Sequence, residues 1–138
     1  MVEYVLREMT SDDRQFIYKL VEDYLKTDFS VTVIALKSFD EYFKTYSQND
    51  LKTYIIMVNN QRAGFVHMTK DGEIGYYLTN EYQNKGIAVS AVKKMLELHP
   101  RERYFATVNS NNVRSNNLVK KLGFRPKGIV YEKNNTQV

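Results

Sequence analysis

The residues with the strongest chemical implication lie in one run, Gly75-Tyr76-Tyr77-Leu78-Thr79-Asn80-Glu81-Tyr82-Gln83-Asn84-Lys85-Gly86-Ile87-Ala88, where a strand passes through a polar loop into a helix. The first amides of a helix lack carbonyl partners inside it and carry the positive end of its dipole. A loop with little bulk at Gly86 and Ala88 can therefore wrap a phosphate or pyrophosphate. Lys85 adds a full positive charge. A glycine at this place also serves a plain strand-to-helix turn, and glycine spacing alone does not separate the two readings. A second polar run, Asn109-Ser110-Asn111-Asn112, precedes a helix that closes at Gly123, and Asn112 suits a helix cap there. A chain without Cys has no thiolate nucleophile, disulfide framework or Cys-based zinc site. His67 and His99 are too few for a histidine-rich centre, so no metal is expected.

The elements that must position these residues follow from periodicity. Val2 to Arg7 alternates and predicts a first strand. Thr10-Ser11-Asp12-Asp13 supplies a cap and early acidic residues ahead of Phe16, Ile17, Leu20, Val21, Tyr24 and Leu25, which predicts an amphipathic helix over Asp12 to Lys26. Thr27 to Leu36 suits a strand, a loop or the start of a helix. Ser38 can cap a second helix over Phe39 to Tyr46. Thr53 to Val58 and Arg62 to Thr69 flank the turn Asn59-Asn60-Gln61. Asp71-Gly72 then turns the chain into a strand over Glu73 to Leu78, so the middle of the chain reads as an antiparallel meander. A helix follows Gly86 and stops at His99-Pro100, Tyr104 to Val108 reads as a strand, Asn111 to Leu122 as a helix, and Phe124 to Glu132 as a last strand interrupted by Pro126 and Gly128. The tail Asn134-Asn135-Thr136-Gln137 is expected to fray. This order is α/β (α+β), with a β-α-β unit over Glu73 to Val108 whose strands should be parallel with a right-handed crossover. The length of 138 residues suits one domain over residues 1–138.

Gln83-x-x-Gly86-x-Ala88 at a helix start resembles the acyl-CoA pyrophosphate loop of the GNAT superfamily of N-acetyltransferases. Asn112-x-x-Ser115-x-x-Leu118-x-x-Lys121-Leu122-Gly123-Phe124 is similar to the superfamily's last-helix signature. The form with Ser, together with Glu73-Ile74-Gly75-Tyr76 before the loop, looks most like the RimJ/RimL branch, which acetylates protein N-termini and has small-molecule relatives. The resemblance implies a single-domain fold with a mixed central sheet, an antiparallel meander, a β-α-β cofactor-binding unit and flanking helices. It implies acetyl-CoA as co-substrate, held by backbone groups of Tyr76, Tyr77 and Leu78, by Gln83, Asn84, Lys85, Gly86, Ile87, Ala88 and Val89 around the pyrophosphate, and by Asn112, Ser115 and Lys121.

The implied reaction is direct attack of an amine on the acetyl carbonyl of acetyl-CoA, which needs a neutral amine, polarisation of the carbonyl and a proton for the departing thiolate. Two positions depart from the superfamily's pattern: Val119 stands where a general-acid tyrosine is common, and Thr107 where some protein N-terminal acetyltransferases carry a catalytic Glu. Ser115, one turn before Val119, then becomes the candidate to hydrogen-bond the sulfur, with packing as its plainer role. Glu73 and His67 become candidate bases, directly or through water, with a surface carboxylate and a structural histidine as the plainer roles. Tyr42, Tyr46, Tyr54, Tyr76, Tyr77 and Tyr104 are candidates to line an acceptor pocket.

The net charge of +4 and the abundance of Lys+Arg, 20 against 16 Asp+Glu, also suit a nucleic-acid surface, and a CoA-binding module without turnover is the other alternative. The reading from the motifs expects neither nucleic acid nor membrane as partner. The start Met1-Val2-Glu3 has no signal-peptide character and no apolar run reaches a membrane span, so a cytoplasmic location is expected. A short C-terminal sheet would leave an open edge, for which a homodimer is the expected cover.

Overall fold

Alternation in the central strands sorts side chains onto two faces of one sheet, and each face has its own helices. The computed structural model describes residues 2–27, 37–49, 52–133 and 135. Strands β1 (Val5–Glu8), β2 (Lys52–Val58), β3 (Gln61–Met68) and β4 (Ile74–Leu78) pair antiparallel in the order β1-β2-β3-β4. The meander expected from the Asn59-Asn60 and Asp71-Gly72 turns is therefore present. Asn59 and Asn60 both adopt positive φ, 50° and 62°, which asparagine tolerates in a tight hairpin. Ile56 opposes Gly64 and Met57 opposes Arg62, so Ala63 is an extra residue that kinks β3.

Helices α1 (Arg14–Thr27) and α2 (Phe39–Gln48) cover one face, where Ile17, Val21, Leu25 and Phe43 bury against Ile55 and Phe65. Helix α3 (Ile87–Leu98) covers the other, where Ile87, Ala91, Val92 and Met95 bury against Ile56, Val58, Val66, Met68 and Ile74. Helix α4 (Val113–Lys121) packs beside α3. Asp13, fully buried, fixes the start of α1. Its carboxylate accepts both Arg7 guanidinium nitrogens at 2.9 Å, Arg62 Nε at 2.8 Å and the Thr10 amide at 2.8 Å. The Arg7 guanidinium, aided by the Thr10 amide and Arg62, holds the Asp13 carboxyl well below the usual carboxylate range. Ser38 caps α2 by accepting the Glu41 amide.

Two expected strands do not form. In place of Tyr104 to Val108 there is a single parallel bridge between Glu73 and Phe105, made by Ile74 N to Phe105 O at 2.9 Å and Phe105 N to Gly72 O at 3.0 Å. The chain then leaves β4, so the parallel part of the sheet is one residue long. Phe124 to Glu132 is irregular and exposed from Arg125 onward, because Pro126 removes a donor and no described strand lies beside it. The first strand spans Val5–Glu8 rather than Val2 to Arg7. Residues 28–36, left open by periodicity, and most of the Asn134-to-Gln137 tail lie outside the described residues.

Candidate active site

The loop between β4 and α3 takes its shape from two positive-φ residues, Asn84 at 62° and Gly86 at 78°. Gly86 is the N-cap of α3, so no side-chain oxygen closes the helix start. The bond from Ser90 N to Gly86 O, 3.2 Å, is the first inside the helix, which leaves the amides of Ile87, Ala88 and Val89 without intrahelical acceptors. The buried Ile87 side chain anchors this turn to the core, and a Cβ built at Gly86 would meet nothing within 4 Å. Lys85 is exposed beside it. The result is an open, positively polarised cradle that suits a phosphate.

Beside the cradle runs the outer edge of β4, which past its bridge to Phe105 pairs with no strand among the described residues. In an antiparallel pair, alternate residues turn their amide and carbonyl groups inward and outward. Glu73 and Thr79 bond to β3 residues or their neighbours, as Thr69 N to Glu73 O and Thr79 N to Ala63 O, both 2.9 Å. Ile74 N points the other way, to Phe105 O. Tyr76 and Leu78 share the outward set, whereas Tyr77 turns its backbone toward β3. Tyr77 was expected to offer backbone groups to a cofactor arm, and the strand's alternation prevents it. What Tyr77 brings is its ring, stacked on Phe65 at 5.0 Å and edge-on to Tyr24 at 5.4 Å.

The first turn of α4 is held from both faces of the sheet. Asn112 caps it, with Oδ1 accepting the Ser115 amide at 3.1 Å, while Nδ2 donates to the Tyr24 hydroxyl of α1 at 2.7 Å. Asn112 thus acts as the cap of α4 and ties it to α1. From the other face, the Tyr76 hydroxyl pairs with Ser115 Oγ. Gln83 joins loop, strand and helix: Nε2 donates to Leu78 O at 3.0 Å and Oε1 accepts from Arg114 Nη1. Arg114 was missed by motif reading because it occupies an unspecified position between Asn112 and Ser115, and Tyr24 was read only as part of the apolar face of α1. Lys121, by contrast, sits exposed in the last turn, at the opposite end of α4 from the loop. Val119 is buried, and its side chain has no proton to give.

Glu73 and Thr107 meet across the single parallel bridge, with Thr107 Oγ1 donating to Glu73 Oε2 at 3.0 Å. His67 lies on β3 opposite Gly75, and a Cβ on Gly75 would be 2.1 Å from its Nε2. Its Nδ1 is buried without a hydrogen-bond partner, and desolvation lowers its pKa to about 4, so the ring is neutral at physiological pH.

The tyrosines expected to line one acceptor pocket divide between the faces. Tyr42, Tyr46 and Tyr77 lie with α1 and α2, while Tyr54, Tyr76 and Tyr104 lie on the α3 side. Tyr54 is engaged with His99 Nε2 at 2.6 Å, and Tyr104 with the Leu96 and His99 carbonyls that end α3. Burial pushes the Tyr42 and Tyr77 phenols far up, with Tyr77 and Tyr46 adding to the first and Tyr24, Tyr76 and Glu73 to the second, so both stay protonated. Among the described residues no group of three or more His, Cys, Asp or Glu is arranged to hold a metal ion, and no helix is long and apolar enough to cross a membrane.

A family model described as Acetyltransferase (GNAT) domain matches residues 4–125. No curated protein matches the sequence. Among solved structures, an N-acetyltransferase from Staphylococcus aureus Mu50 is 19% identical with a TM-score of 0.73, over 91% of this chain and 86% of that one. The RimL ribosomal L7/L12 alpha-N-protein acetyltransferase in complex with coenzyme A is 19% identical with a TM-score of 0.69, over 93% and 83% of the two chains. The yncA protein of Salmonella typhimurium, solved with its cofactor acetyl-CoA, is 17% identical with a TM-score of 0.72, over 88% and 79%.

Proposed function

The chain belongs to the GNAT acetyltransferase family, and we propose that it is an N-acetyltransferase that moves the acetyl group of acetyl-CoA to a primary amine, on a small molecule or a protein N-terminus. The observation that carries this reading is the uncapped start of α3 beside the outer edge of β4, an arrangement that suits a long ligand with phosphate at one end and amides along it. In this reading the amides of Ile87, Ala88 and Val89, shaped by Asn84 and Gly86, hold the pyrophosphate, with Gln83 and Lys85 at its side. The outward groups of Tyr76 and Leu78 bond the pantetheine arm, and the second amide hydrogen of Asn112 reaches the same arm. Arg114, rather than Lys121, is the α4 cation near the phosphates.

The thioester supplies an activated acetyl group, and the protein's task is mostly orientation, which is worth several kcal/mol of a barrier. The amine nitrogen bonds to the acetyl carbon and the carbon–sulfur bond breaks toward sulfur. Ser115 donates a hydrogen bond to that sulfur. Glu73, steadied by Thr107, takes the amine proton through water, and the CoA thiolate is protonated by solvent. His67 is unsuited as base because its pKa of about 4 leaves it weakly basic.

The test is acetyl-CoA binding by calorimetry, followed by thiol release against a panel of amines and N-terminal peptides. Binding with turnover of at least one amine supports the enzyme. Binding with no turnover of any favours a silent CoA-binding module, a reading that the buried Val119 keeps open. We further take residues 1–138 as one cytoplasmic unit. Ile129, Val130 and Tyr131, exposed at 76%, 65% and 88%, support a homodimer through the C-terminal segment, and a monomer in sedimentation at micromolar concentration overturns that assembly.

A further inference from the structure

In the reaction proposed above, the first turn of α4 meets the charge of the departing thiolate, and a side chain from β4 reaches that turn. The Tyr76 hydroxyl pairs with Ser115 Oγ and lies 3.4 Å from the Ser115 carbonyl oxygen. The Ser115 amide donates to Asn112, so the hydroxyl is the serine's remaining hydrogen-bond donor at this point. Burial raises the Tyr76 pKa, which keeps the phenol a donor at neutral pH.

We infer that Tyr76 is a positioning residue for acyl transfer, whose hydroxyl donates to Ser115 Oγ and so turns the serine O–H toward the leaving sulfur. This rests on the acetyl-CoA reading of the site. A serine hydroxyl has one proton, and if it is given to the tyrosine oxygen none is left for sulfur. When negative charge develops on sulfur, the chain from Tyr O–H to Ser O–H to sulfur is the orientation in which both dipoles point at the charge, and each bond strengthens the other. No covalent bond to Tyr76 or Ser115 forms or breaks, and both keep their protons. Position 119 is Val, so α4 has no phenol of its own there, and β4 supplies one from the side.

The test uses the fact that the chain has no Cys, which makes bound CoA the only thiol in the sample. With protein in excess, the rate of CoA alkylation by iodoacetamide is followed against pH. The expected result is a bound-thiol pKa about one unit below that of free CoA, a tenfold gain in thiolate fraction. Tyr76→Phe and Ser115→Ala should each abolish that shift, and the double variant should go no further. With an amine that turns over, Tyr76→Phe should lower kcat about tenfold while KM for acetyl-CoA stays unchanged. A shift that survives in Tyr76→Phe but is lost in Ser115→Ala, or no shift in the native chain, overturns the inference. Failure of CoA to bind at all, seen separately by calorimetry, overturns the acetyl-CoA reading on which it rests.

Discussion

The phosphate cradle proposed at the start of α3 can be tested by comparing Gly86→Glu with Gly86→Gln. The two side chains have nearly the same size and differ by one charge. Gly86 has a φ of 78°, so either substitution places an L side chain in the left-handed region, at about 1–2 kcal/mol. A Cβ there meets nothing within 4 Å, so no packing penalty is added and both variants should fold with the same loss in Tm, about 3–6 °C. What separates them is the carboxylate. At roughly 6 Å from a phosphate, with an effective dielectric of about 30, one pair of unit charges costs about 2 kcal/mol. Screening at physiological salt removes about half, and two phosphate charges restore the sum to about 2 kcal/mol. Gly86→Glu should therefore bind acetyl-CoA about 30-fold more weakly than Gly86→Gln, and the ratio should shrink as salt is raised. Calorimetric titration of both variants reads the ratio directly. Equal affinities at low salt would refute a phosphate at this helix start and return Gly86 to a role in the turn.

Three further predictions probe neighbouring residues. Arg114→Ala should weaken acetyl-CoA binding about tenfold, while Lys121→Ala changes it less than about twofold, as titration of the two variants will show. Gly75→Ala puts a methyl group 2.1 Å from His67 Nε2 and should cost about 1–3 kcal/mol in urea denaturation. Adding His67→Ala to that variant should cost less than it costs the native chain, and strict additivity would exclude the clash as cause. The His67 pKa is lowered from 6.5 to about 4, so above pH 6.5 both folded and unfolded states hold it neutral and it adds no pH dependence. As pH falls from 6.5 toward 4 the unfolded chain takes up a proton that the native state refuses, and stability declines by up to about 3 kcal/mol. His67→Asn should flatten that decline in unfolding midpoints measured across the window, and an unchanged slope would mean that the ring is solvated in the native state. The Asp13 contribution is distinct, because its carboxyl is held down by Arg7 and stability from it is lost only as pH falls below the ordinary Asp range.

Local signals in the sequence identified the elements whose formation is a local matter. The Asn59-Asn60 hairpin, the Ser38 cap and the Gly86 helix start each depend on a few adjacent residues, and each forms where turn and cap chemistry puts it. The expected strands at Tyr104 to Val108 and Phe124 to Glu132 depend instead on a neighbour to pair with. β-branched and aromatic residues describe a side-chain preference but carry no partner, so the first shrank to one bridge and the second to none. The site shows the same division. The loop residues follow from backbone conformation, which glycine and asparagine announce. Tyr24 and Arg114 join the site through contacts with Asn112 and Gln83, 88 and 31 residues away in sequence, and no local pattern encodes such pairings.

Tyr76 and Tyr77 show how far a single strand register decides chemistry. The two are adjacent and identical in type, and the sequence offers no reason to assign them different roles. Pairing of Phe65 with Tyr77 and Val66 with Tyr76 turns one ring onto the α1 face and the other toward α4, and it gives Tyr76 the outward backbone groups as well. A slip of one residue would exchange every one of these roles. The Ala63 bulge lies in β3 just before this ladder begins at Gly64, so it kinks the strand against β2 without deciding which tyrosine meets Ser115.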